Sequence, residues 1–155
     1  MPMFTYPDAN VPATTREILE LGLPCVQTFT FLAQTSYSNN QTFSIGGLDY
    51  EYKVDADTFT PAGGAVIVID IHLSTTAQTV AVAAVAAVNA QATSTVTATA
   101  PVSGVATFTA KTRGYAGNVA ASGNGGGTQA TVQFGLDPMA TYAMSLAIQN
   151  HLNAH

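Results

Sequence analysis

The 155-residue sequence has no tryptophan, one cysteine and only four basic side chains. The lone thiol, Cys25, excludes an internal disulfide, so a packed core has to hold the fold. Arg16, Lys53, Lys111 and Arg113 are scattered along the chain, whereas affinity for DNA or RNA needs clustered Lys and Arg to neutralise phosphates. Nucleic acid is therefore not an expected partner, and a membrane surface is excluded on the same ground. Long apolar runs are missing too. The nearest approach to the roughly 18 residues of a membrane span is the Ala/Val segment 77–90, which Gln78, Thr79 and Asn89 interrupt. The start, Met1-Pro2-Met3-Phe4-Thr5-Tyr6-Pro7-Asp8, lacks the basic and apolar regions of a signal peptide, and the expectation is a protein made and used without export.

Charged residues make up 8% of the chain, where a globular domain carries roughly a quarter. Their place is taken by 26 alanines and 22 threonines, and the net charge is −5. Uncharged side chains are cheap to desolvate, while a charge buried without a partner is costly. Much of this surface, above all the N-terminal segment and an Ala-rich helix, is thus expected to be covered by other protein chains. The length suits one domain with its own core.

The pattern predicts a mainly β protein with α+β elements. An extended N-terminal arm should lead to a compact antiparallel β body with one Ala-rich crossover helix, followed by a C-terminal helix. We divide it into 1–40 (arm, short helix and first strand), 41–136 (β-rich body) and 137–155 (C-terminal helix). Pro2, Pro7, Pro12 and Pro24 keep most of the first 24 residues out of packed helix or central strand. Thr14 and Glu17 form a capping box for a short helix ended by Gly22. Period-two alternation predicts a strand over 26–33, and Gly46-Gly47 between alternating runs predicts a hairpin. One face of its second strand carries Leu48, Tyr50, Tyr52 and Val54, and the other Asp49, Glu51 and Lys53. The continuous apolar run 66–73 predicts a strand covered on both faces. Thr75 with Gln78 should cap a helix over 77–90. Strands at 95–100 and 105–110 flank a turn at Pro101–Gly104, and a Gly-rich loop precedes a strand over 128–134. Asp137 and Pro138 then start the last helix.

Side chains for chemistry are few. Cys25 lies beside Pro24 with no histidine near it in sequence, and no Ser, His and Asp sit in a nucleophile-elbow context. The stretch from Gly123 to Thr128 lacks the lysine of a phosphate-binding loop and precedes a strand, so it reads as a flexible loop. His151 and His155 have metal-ligand spacing on one helical face but no third ligand. His72 reads as a hydrogen-bonded core or interface residue. Asp49, Glu51, Asp55 and Asp57 could hold a hard cation at a strand end. They lack Ca²⁺-loop spacing, and a solvated outer sheet face is the preferred reading. The sequon Asn40-Gln41-Thr42 has meaning only in a secreted eukaryotic protein. No cofactor is expected.

The order of elements over 42–120 is distinctive. It runs from Phe43-Ser44-Ile45-Gly46-Gly47-Leu48-Asp49-Tyr50 through Ala87-Val88-Asn89-Ala90 and Val96-Thr97-Ala98-Thr99-Ala100 to Phe108-Thr109-Ala110-Lys111-Thr112-Arg113-Gly114-Tyr115-Ala116-Gly117-Asn118. This resembles a module common in tailed-bacteriophage virion proteins, where an IGG-Y hairpin leads to an AAINA helix, VTATA and LTAKTxGxxGN. Val88 stands for the usual Ile and Phe108 for the usual Leu. The resemblance spans about half the chain and implies a structural, non-enzymatic role, with no catalytic residues to carry over. A chain this short, with a Pro-rich arm, suits a capsid decoration (cement) protein. It would be made in the host cytoplasm and carried in the virion, with the major capsid protein and copies of itself, expected as a trimer, for partners. Phe4, Tyr6, Ile18, Leu19 and Leu21 are the candidate contacts of the arm. The alternatives are a tail adaptor, completion or baseplate component, and a receptor- or glycan-binding module using Tyr37, Tyr115 and loop 122–127.

Overall fold

A computed structural model describes residues 22–55, 59–62, 67–118, 122–123, 126–137, 144 and 148–151. The chain is mainly β. Its elements are β1 (Pro24–Phe31), β2 (Thr42–Ile45), β3 (Leu48–Lys53), β4 (Ile67–Asp70), α1 (Ala77–Asn89), β5 (Val96–Val102), β6 (Val105–Arg113), β7 (Ser122–Gly123) and β8 (Gly127–Gln133). Met144 and residues 148–151 are helical near the C-terminus. Residues 14–21 of the predicted helix and the five candidate arm residues, Phe4, Tyr6, Ile18, Leu19 and Leu21, lie outside the described residues, as does Asp57.

The strands form two four-stranded sheets, ordered β5-β6-β1-β8 and β4-β3-β2-β7. The first is antiparallel throughout. β1, grouped with the arm in the sequence, sits inside this sheet between β6 and β8, with Cys25, Gln27, Phe29 and Phe31 buried. In the second sheet β4 runs parallel to β3, which the connection over 54–66 is long enough to allow. Both hairpins turn on two residues at positive φ, Gly46 (64°) with Gly47 (77°) and Ser103 (51°) with Gly104 (81°). That is the geometry matching the twist of the flanking strands.

One core joins both sheets and the helix. Phe43 of β2 lies at its centre, with ring centroids 4.8 Å from Phe29, 5.7 Å from Phe31, 5.6 Å from Phe108 and 6.0 Å from Tyr50. α1 carries the chain from one sheet to the other and buries Val80, Ala81, Ala84, Val85 and Val88. Small alanines at 81 and 84 let the helix lie close on its own sheets. This face is therefore covered within the chain, which corrects the expectation for that side of the helix, while Val82 on the outer side is 49% exposed.

Three local expectations change. The cap of α1 falls one residue later, as a reciprocal box between Thr76 and Thr79. Gln78 is instead used across the fold, donating to the Pro101 carbonyl (2.8 Å) and accepting from the Gly104 N–H (2.9 Å). The run 66–73 gives only the four-residue β4, at an edge, with Val68 and Asp70 exposed and His72 in the turn beyond. Strand β5 extends through Pro101-Val102 and β6 starts at Val105, leaving Ser103-Gly104 as the whole turn.

Candidate interaction surface

The acidic candidates do not converge. Asp49 is exposed and accepts from the Ser44 hydroxyl at 2.6 Å, and Asp55 is exposed with its N–H on Asn39 Oδ1 at 3.0 Å. Glu51 is 1% exposed, which corrects the reading of a solvated face. The alternation does turn it away from Tyr50 and Tyr52, but Ala62, in the connection after β3, reaches that side and its N–H donates to Glu51 Oε2 at 3.2 Å. Among the described residues no group of three His, Cys, Asp or Glu is placed to hold a metal ion.

Asp70 forms the clearest charged cluster. Lys53 Nζ lies 3.0 Å from its Oδ2, while the backbone N–H and ring Nδ1 of His72 bond to Oδ1. Partial burial opposes ionisation of Asp70, but the hydrogen bonds from His72 and Lys53 outweigh it and hold the carboxyl down at about 2. Since the folded state lowers this pKa, the contribution to stability is complete above the ordinary value of 3.8 and is lost as pH falls towards 2. The carboxylate side chain is 44% exposed and solvent-screened, so the loss should be under about 1 kcal/mol. Urea midpoints measured from pH 5 to pH 2 should fall more steeply for the wild type than for Asp70→Asn.

The aromatic candidate Tyr37 is unavailable to a ligand. It is 5% exposed, its ring lies 4.6 Å from that of Tyr52, and its hydroxyl accepts the Leu32 N–H at 3.1 Å. Within the loop assigned to glycan binding, Ser122-Gly123 pairs with β2. A depression of about 170 Å³ lined by Thr95, Ala110, Thr112, Ala116 and Gly117 offers no titratable side chain. His151 is exposed, and His155 lies outside the described residues.

What the fold does present is sheet edges. An edge strand exposes unpaired N–H and C=O groups that can template another strand, and proteins blunt such edges when they are to stay single. The β5 edge is closed by α1. Asn89 donates to the Ala98 carbonyl (2.8 Å) and accepts from the Ala98 N–H (2.9 Å), the pair of bonds a neighbouring strand would make. Gln78 occupies the Pro101 carbonyl further along. In the other sheet, β7 is two residues long, and β4 is four residues long and ends on the paired charge of Asp70.

β8 has none of these devices. It is seven residues long, and Thr128, Gln129, Ala130, Thr131 and Val132 are all exposed, so both of its faces are open. Among the described residues it pairs only with β1. No charged residue occurs between Arg113 and Asp137. Just beyond its end, Phe134 is 68% and Leu136 41% exposed, and Leu136 exchanges backbone hydrogen bonds with Leu23. Leu23, next to the start of the described residues, therefore lies beside the end of β8. The uncharged run 114–136 was legible as sequence; that Gly127–Gln133 within it forms an open edge was not.

Several residues of the run 43–118 work for the fold. Gly46-Gly47 makes the first hairpin and Asn89 closes the β5 edge. Gly114 takes φ +84°, a Cβ on Gly117 would lie 1.9 Å from the Thr112 carbonyl oxygen, and Asn118 Oδ1 accepts the Gly135 N–H at 2.7 Å. No protein-family model and no curated protein matches the sequence. No helix among the described residues is long and apolar enough to cross a membrane.

Proposed function

We propose that the chain is a non-enzymatic structural component of a tailed-phage virion, in the form of a capsid decoration protein contacting the major capsid protein and copies of itself. The observation that supports this reading is the open, uncharged strand β8, whose end lies beside Leu23, while the other sheet edges among the described residues are blunted. A lattice protein needs just such a surface, cheap to desolvate and rich in unpaired backbone groups. Several motif residues, Gly46, Gly47, Asn89, Gly114, Gly117 and Asn118, hold the scaffold, in keeping with a structural role. The arm, through Phe4, Tyr6, Ile18, Leu19 and Leu21, would bury apolar area on capsid subunits at about 25 cal/mol per Å².

Counting copies in purified particles by quantitative mass spectrometry tests this. Hundreds per particle are expected; six or twelve would move the protein to the tail, and none would remove it from the virion. Deleting residues 1–21, which stops short of the central strand β1, should lower capsid occupancy at least about tenfold if the arm is the anchor, because a loss of 1.4 kcal/mol already costs that factor.

A further inference from the structure

We propose that β8 pairs with β8 of a second copy of this chain, antiparallel across a two-fold axis, joining two sheets into one continuous eight-stranded sheet. The occupant follows by elimination. A strand added to β8 must bring an open edge of its own, and within the described body Asn89 and Gln78 close β5, β7 is too short, and β4 ends in charge. The strand in a second copy that matches β8 is β8 itself. An edge meeting its own copy gives an isologous contact, which closes as a dimer and does not propagate.

Charge leads to the same partner. Copies carrying a net charge of −5 repel one another, but the margin from 114 to 136 bears no charge and can meet itself without opposition. It also offers no basic or acidic group by which an oppositely charged partner would recognise it. The exposed Thr128 and Thr131 can hydrogen-bond across the pair, and the exposed Val132 and Phe134 add apolar area at its ends. The two-fold contact deepens the decoration-protein reading and stands in place of the trimer expected from the sequence, but it rests on the edge alone. A monomer in solution would overturn the pairing and leave the virion location open, whereas absence from particles would do the reverse.

Pairing about the middle of β8 sets Ala130 opposite its symmetry mate, and its side chain is exposed, so the monomer tolerates substitution there. The mass of the full-length chain, followed by sedimentation velocity over a concentration series, should be that of a dimer. Ala130→Lys and Ala130→Glu should each give monomers, and an equimolar mixture of the two should recover the dimer. Recovery also shows that both variants are folded. As a second route, Ala130→Cys should form a disulfide-linked dimer on mild oxidation, since the native thiol Cys25 is buried. A wild-type chain that stays monomeric, a trimer, a dimer indifferent to both charges, or a mixture that stays monomeric would each overturn the proposal. Binding of the monomer to a capsid-protein peptide through β8 would overturn it as well.

Discussion

Replacing Phe43 with alanine is expected to lower the stability of the chain by about 3–5 kcal/mol. Phe43 is completely buried and is the ring at which the two sheets meet, touching Phe29, Phe31 and Phe108 of one and Tyr50 of the other. Truncation leaves a cavity that four rigid rings on two separate sheets cannot collapse into without sliding the sheets. Total stability is only about 5–15 kcal/mol, so the variant should be largely unfolded at elevated temperature. A urea titration followed by near-ultraviolet circular dichroism measures it. A drop below 1 kcal/mol would mean that the sheets do not share this core.

Gly117→Ala should cost about 3 kcal/mol, the upper end of what overpacking does. The new methyl group would meet the Thr112 carbonyl oxygen at 1.9 Å, and a backbone atom within a strand cannot rotate aside. Gly47→Ala is the useful contrast. Gly47 has φ +77° but nothing within 4 Å of a Cβ, so only the left-handed backbone penalty of about 1–2 kcal/mol applies. Thermal midpoints of the two variants should rank Gly117→Ala well below Gly47→Ala. The reverse order would show that the turn at Tyr115–Gly117 is looser than its packing indicates.

A change at Gly117 also bears on the proposed assembly, since the same turn leads to Asn118, which holds the Gly135 N–H just beyond β8. Loosening it should disturb the β8 margin before it disturbs the aromatic core. The glycine and asparagine of the phage-like motif thus serve the margin through backbone geometry.

Alternation, turn glycines and alanine content were enough to read the β-rich class, the Gly46-Gly47 hairpin, the crossover helix and the buried face carrying Tyr50 and Tyr52. These features follow from local periodicity and from φ values that only certain residues accept, and neither needs knowledge of distant neighbours. Glu51 shows where such reading stops. Its place on the polar face of β3 was correct, yet Ala62 of the connection that follows β3 is brought onto that face and the carboxylate is buried. The Thr76 cap and the edge position of β4 were decided in the same way, by what packs nearby.

The interaction surface divides along the same line. The absence of charge from 114 to 136 and the proline-rich start belong to the sequence alone, because composition sets the cost of desolvation wherever a segment lies. Which uncharged strand becomes an open edge is a property of sheet order. β5 and β8 are similar Thr- and Ala-rich stretches, but α1 lies where Asn89 can close the first, and nothing in the described fold closes the second. Edge closure depends on partners far apart in sequence, so only the tertiary structure could decide it.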